Sequence, residues 1–129
     1  MRVLIDTHTF IWLVAMTTRL RPSTRALLAD PANTVLLSAV SAWEIAIKYG
    51  TGRLALPTVP SLYIPSRVER HGLTPLAIEH RHAVAVAELP AVHKDPFDRL
   101  LVAQAIVEGV PLITADGKLR SYPVQIIPA

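Results

Sequence analysis

Three short apolar runs, VLI at 3–5, TVLLS at 34–38 and PLIT at 111–114, are separated from one another by stretches of helical character. That alternation constrains the fold more than any other feature. A strand followed by a helix comes back to its sheet through a crossover, and repeated crossovers lay the strands parallel with helices on both faces. The expected class is α/β. THTFIWLVAM reads as a helix directly after Asp6, and a second helix lies near PSTRALLAD and stops at Asp30-Pro31. AVSAWEIAIKYG is a third, with Gly50 as its C-cap. Pro57, Pro60 and Pro65 interrupt the segment from Arg53 to Gly72, so a helix is expected only near its end. LTPLA reads as a short strand, IEHRHAVAVAEL as a helix stopped by Pro90, 96–108 as a helix ended by Gly109, and VQII at 124–127 as the last strand.

A chain of 129 residues, 51% of them hydrophobic, suits a single domain covering 1–129. It has no cysteine, so neither disulfides nor thiolate-bound zinc contribute. The N-terminal VLID is broken by Asp6, Thr7 and His8 before FIWLVAM begins, and no apolar run reaches membrane-span length. The expectation is a soluble cytoplasmic protein with no membrane partner. Net charge is +3. Ten of the thirteen cations are arginine, which suits bidentate contact with phosphate and equally fits a genome rich in arginine codons.

The stretch HKDPFDRLLVAQA, 93–105, sets Asp95 and Asp98 ahead of a nearly apolar helix. Asp95 before Pro96 is an N-cap with proline at the first helical position. Asp98 in the first turn suits the helix dipole or, alternatively, binds a metal ion. Ligands of a parallel sheet gather beyond the carboxyl ends of the strands. Asp6 follows the first strand, Asp116 follows PLIT by two residues, and Glu44 lies in the helix leaving the second strand. The helix opened by Asp98 starts at the same edge. Each acid alone has a structural explanation, as turn residue, exposed helix residue or dipole partner. Together, four carboxylates on one rim repel one another, and a cation resolves the repulsion; hard oxygen ligands favour Mg2+ or Mn2+.

Four blocks carry a resemblance over nearly the whole chain: LIDTHTFIW, SAVSAWEIAIKYGTGRL, HKDPFDRLLVAQA and LITADGKL. In this order and length the sequence resembles PIN-domain ribonucleases, specifically the VapC-type toxins of prokaryotic toxin–antitoxin modules. The resemblance implies a three-layer α/β/α fold with a mainly parallel sheet. It also implies metal-dependent RNA cleavage by Asp6, Glu44, Asp98 and Asp116, a cognate antitoxin and a homodimer. Asp6 and Asp98 are the expected direct metal ligands, with Asp116 binding through water or holding a second ion and Glu44 orienting or deprotonating the attacking water. Thr7, Ser38 and Thr114 stand beside the acids, either supporting them or capping helices. Lys94, Arg99, Lys118 and Arg120 flank the acids, as phosphate contacts or as solvated charges. An antitoxin arginine entering the acid cluster, with apolar flanks beside Phe10, Trp12 and Trp43, is the expected mode of restraint.

Rival chemistries lack their residues. A haloacid-dehalogenase-type site needs an aspartate two residues after the first, where His8 stands. A receiver domain offers no role for Glu44, and no G-x-G-x-x-G or P-loop occurs. His80 and His82 point in different directions on a helix with no evident third zinc ligand. His8 and His93 lie near the rim, where local hydrogen bonding is their expected role and a catalytic one the alternative. The remaining alternative is a catalytically silent partner-binding module.

Overall fold

Strand β1 (Arg2–Ile5) is the centre of the molecule, turning Val3 and Ile5 to one face and Leu4 to the other. β2 (Thr34–Ser38) and β4 (Leu112–Thr114) repeat this division: Val35, Leu37 and Ile113 join the first face, Leu36 and Leu112 the second. Such strands are apolar on both sides because helices cover both sides. The structure is a computed structural model describing residues 1–129. Helices α1 (Thr7–Ala15), α2 (Pro22–Ala29) and α4 (Pro60–Arg70) bring Phe10, Leu28, Ile64 and Val68 to the first face. Helix α6 (Pro96–Glu108) brings Leu101, Val102 and Ala105 to the second, with α5 (His80–Ala85) packed against it. Between them α3 (Ala39–Gly50) gives Ile45 to one core and Val40 to the other. The result is a three-layer α/β/α arrangement.

All five strands are parallel, in the order β3-β2-β1-β4-β5, with β3 at Thr74–Leu76 and β5 at Ile126–Pro128. From β1 the chain builds outward to β2 and β3, then crosses back to build β4 and β5 on the other side. The order therefore reverses between β1 and β4, and a crevice opens at their carboxyl ends. That reversal positions the site.

Several elements depart from expectation. The last strand begins at Ile126 rather than 124, because Pro123 and the Val124 N–H, which donates to the Tyr122 carbonyl at 2.8 Å, hold a turn there. Gly50 is not the cap of α3: the helix runs through it, Thr51 caps, and Gly52 takes the left-handed φ of 75°. Helix α4 starts earlier than the prolines suggest, with Pro60 in its first turn and Pro65 inside it. Packing of Tyr63, Ile64 and Val68 on the core outweighs the missing amide of Pro65. The α5 region is shorter than 78–89 and ends in a 3-10 turn, Val86–Glu88. No helix is long and apolar enough to cross a membrane.

Candidate active site

Asp6 leaves β1 and caps α1. Its Oδ1 accepts the Thr9 N–H at 2.8 Å, and its Oδ2 accepts the Thr114 hydroxyl at 2.6 Å across the β1–β4 gap. The Thr114 Oγ1 also accepts the Asp116 N–H at 3.0 Å, so one threonine ties two of the acids together. Asp116 caps the 3-10 turn Gly117–Ser121, accepting the Lys118 N–H at 3.0 Å on Oδ1. Burial works against ionisation of Asp116, yet the Lys118 N–H and the His93 ring outweigh it and hold the carboxyl below its ordinary value.

On α6, Asp95 is the cap: its Oδ1 accepts the Phe97 N–H at 2.9 Å and the Asp98 N–H at 3.3 Å, with Pro96 at the first position. The Asp98 carboxylate itself receives no hydrogen bond from the protein, and the His93 Nε2 lies 3.6 Å from its Oδ2. Burial, then the charges of Asp95, Asp6 and Glu44, push the Asp98 carboxyl up to about 7, with His93 opposing. Glu44 is buried. Its Oε1 accepts the Thr7 hydroxyl at 2.6 Å and its Oε2 the Lys48 ammonium at 2.5 Å.

Asp6, Asp98 and Asp116 line one cleft of about 400 Å³, together with His8, Trp12 and His93. Glu44 stands behind this wall, joined to α1 through Thr7. Of the neighbouring hydroxyls, Thr7 and Thr114 serve the acids. Ser38 instead caps α3 through the Val40 N–H and donates to the buried Gln104. The carboxylates fit a divalent cation, since Asp98 carries unbalanced negative charge and lacks any donor to replace one.

His93 lies at the rim as expected and hydrogen-bonds locally, and it also lines the cleft. Its Nε2 lies 3.0 Å from Asp116 Oδ2, and one ligand atom each of His93, Asp98 and Asp116 fall within 4.8 Å of one another. Its Nδ1 accepts the Asp95 N–H at 3.0 Å, so the ring proton sits on Nε2 and is donated to Asp116. In that tautomer His93 is a donor aimed into the cleft rather than a metal ligand. Its only sequence signal is its place two residues ahead of the cap.

Other expectations are corrected. Phe10 is fully buried and offers nothing to a partner, whereas Trp12 is half-buried and Trp43 is exposed, stacked edge-on against Phe97 at 4.9 Å. The Arg99 guanidinium is committed to the protein, donating to the Pro90 and Val86 carbonyls and the Tyr122 hydroxyl. His82 does have acidic neighbours, Glu79 and Glu108. It accepts the Glu79 N–H on Nδ1 and pairs with Glu108 through Nε2 at 2.9 Å, while Arg81 and Arg2 balance the charge. His82 leads the causes that hold the Glu108 carboxyl below its ordinary value. That cluster is a structural tie between α5 and α6.

The comparisons with known proteins agree with this geometry. The PIN domain family profile matches residues 3–125. Ribonuclease VapC22 of Mycobacterium tuberculosis is 33% identical over 123 residues, covering 93% of this chain and 91% of that protein. Ribonuclease VapC16 of the same organism is 49% identical over 59 residues, a match spanning 46% of this chain and 42% of that protein's length. Among solved structures, a chain of VapBC2 from Rickettsia felis, crystallised on a promoter DNA fragment, superposes with a TM-score of 0.76 at 18% identity, covering 99% of this chain and 98% of that one. A chain of DNA-bound VapBC from Salmonella typhimurium gives a TM-score of 0.72 at 14% identity, with the same coverage. The chain belongs to the PIN domain family, in its VapC group.

Proposed function

We propose that this protein is a metal-dependent endoribonuclease that acts as the toxin of a toxin–antitoxin module. The observation that carries the reading is Asp98: a carboxylate without a hydrogen-bond donor, in a cleft shared with Asp6 and Asp116, raised by burial and by other acids. Asp6 and Asp98 would hold a Mg2+ or Mn2+ ion, with Asp116 beside them, and Glu44 adds its charge from behind the wall. A bound ion supplies a Lewis acid for the phosphoryl oxygens and acidifies water for in-line attack on an RNA phosphodiester. The protein's own groups do the positioning. Thr114 and the Thr9 N–H fix the Asp6 carboxylate, Thr7 and Lys48 fix Glu44, and the His93 Nε2–H holds Asp116.

The VapBC complexes among the structural neighbours support an antitoxin partner. A guanidinium placed between Asp98 and Asp116 would satisfy the same carboxylates as the ion and exclude it. Apolar antitoxin residues flanking that arginine would dock beside the exposed Trp43 and the half-buried Trp12. A homodimer would place two such clefts on one assembly.

The test is cleavage of RNA by the purified chain, free of antitoxin, in Mn2+ or Mg2+, with EDTA and Asp6→Asn as controls. Metal-dependent cleavage lost in Asp6→Asn is the expected result. A wild-type chain that cuts nothing and does not arrest growth when expressed alone overturns the proposal in favour of a silent binding module.

A further inference from the structure

A second, smaller hollow shares a wall with the acidic cleft and carries two cationic side chains beside one acid. It holds about 130 Å³ and is lined by Arg21 and Arg120 together with Thr114, Ala115, Asp116 and Gly117. Ala115 and Asp116 also belong to the wall of the acidic cleft, so the two hollows back onto the same two residues. Both arginines stand on ordered backbone. Arg21 is the residue from which α2 begins, ahead of Pro22, and Arg120 lies in the 3-10 turn between the buried Leu119 and Tyr122.

These two guanidinium groups are also uncommitted. Arg2 and Arg81 are paired with Glu108, Arg99 is spent on carbonyls, and Arg19 and Arg67 lie over Trp12 and Tyr63. Neither Arg21 nor Arg120 has a carboxylate within 4.0 Å. A concave site with two free guanidiniums suits a compact, doubly coordinated oxyanion. It is too small for a nucleobase with its sugar, since pockets for organic ligands run from roughly 300 Å³ upward.

We propose that this pocket binds a backbone phosphate of single-stranded RNA, the one neighbouring the phosphate cleaved in the acidic cleft. The inference rests on the ribonuclease reading of that cleft and adds what holds its substrate. The acidic cleft by itself repels RNA, so a cation site beside it is needed to retain the strand while the scissile phosphate is presented. The strand must bend over the Ala115–Asp116 wall to reach both hollows, which an unpaired chain does far more readily than a duplex. The contact is made in the ground state and the transition state alike, so it lowers KM and leaves kcat alone.

The test measures binding apart from chemistry. A fluorescein-labelled single-stranded RNA ten-mer is titrated in EDTA by anisotropy over a range of salt. Arg21→Gln/Arg120→Gln is compared with wild type and with Arg53→Gln/Arg70→Gln, a control pair near α4 and the β3 edge. The pocket variant is expected to bind about tenfold more weakly, with a salt slope shallower by about 0.7, the loss of one phosphate contact on a single strand. In Mn2+ it should show a raised KM with kcat within about twofold of wild type. Equal losses in the two pairs, an unchanged slope in the pocket variant, or no measurable wild-type binding at low salt overturns the subsite. A wild-type chain that binds RNA with the expected difference but never cuts it overturns the nuclease reading and leaves the phosphate site standing.

Discussion

Replacing Asp98 by asparagine should stabilise the metal-free protein at pH 8 and do clearly less at pH 4.5. The Asp98 carboxyl is raised from 3.8 to about 7. That is about three pKa units, or about 4 kcal/mol at about 1.4 kcal/mol each. Water reaches part of the group, whose side chain is 21% exposed, so about 2 kcal/mol is the figure to expect after screening. The sign follows from linkage. The folded pKa lies above the unfolded one, so between the two the folded state keeps a proton that the unfolded state has lost. Stability from this group is present below about pH 4 and is lost as pH rises through about 7. Asparagine has no proton to lose and escapes that loss.

The assay is urea or thermal unfolding of wild type and Asp98→Asn in EDTA at pH 4.5 and pH 8. Taking the difference between the two pH values cancels any pH-independent effect of the amide. For a chain of this length about 2 kcal/mol corresponds to a rise in Tm of roughly 6–12 °C at pH 8. Adding Mg2+ or Mn2+ at pH 8 should then raise the Tm of wild type, because the ion binds only the folded state, and raise that of the variant far less. A substitution effect of equal size at both pH values, or a less stable variant at pH 8, refutes the claim that Asp98 is held against its own charge.

Asp95→Ala removes the acceptor of the Phe97 and Asp98 amides and should lower stability by about 1 kcal/mol in urea while leaving measurable cleavage. Gln104→Leu keeps the volume but strands the Ser38 hydroxyl and the Ala77 carbonyl, so a loss of about 1–3 kcal/mol is expected by the same assay. Lys48→Met leaves the buried Glu44 carboxylate without its cation. The single variant should unfold at lower urea than wild type, and Lys48→Met/Glu44→Gln should recover much of the loss, a non-additivity that a double-mutant cycle reads directly.

The parts of the fold visible in the sequence are those whose information is local. β1, β2 and β4 are short apolar runs, and Asp6 and Asp116 follow two of them within two residues. The cap at Asp95 is written in the adjacent Pro96. What was hidden depends on distant packing. THTFIWLVA is apolar almost all round, so its helical phase is unreadable, and the sequence could not say that Phe10 faces the sheet while Trp12 reaches the cleft. Gly50 and Gly52 both look able to end α3, and only the chain's onward path puts the left-handed turn at Gly52, after the Thr51 cap. His93 joins the site because residues 86–95 fold back under Arg99, whose guanidinium grips two carbonyls more than eight positions upstream. No pattern around His93 encodes that return.

The acids at the sheet edge are not equivalent, and the inequality explains why they belong together. Asp6, Glu44 and Asp116 each have donors of their own, so each would keep its place in a protein with no metal to bind. Asp98 has none, and it stands in the first turn of α6, where the helix dipole favours its charge but does not offset the other carboxylates. A chain under selection for stability alone would gain from losing it. Its presence calls for a ligand that rewards the ionised form, and a divalent cation or a guanidinium meets that demand with the same two oxygens. On the proposed function, metal dependence and restraint by an arginine-bearing partner would be two consequences of one unbalanced carboxylate. Occupation by either should draw the proton off Asp98 near neutral pH, so both should bind more tightly as pH rises from 6 to 8.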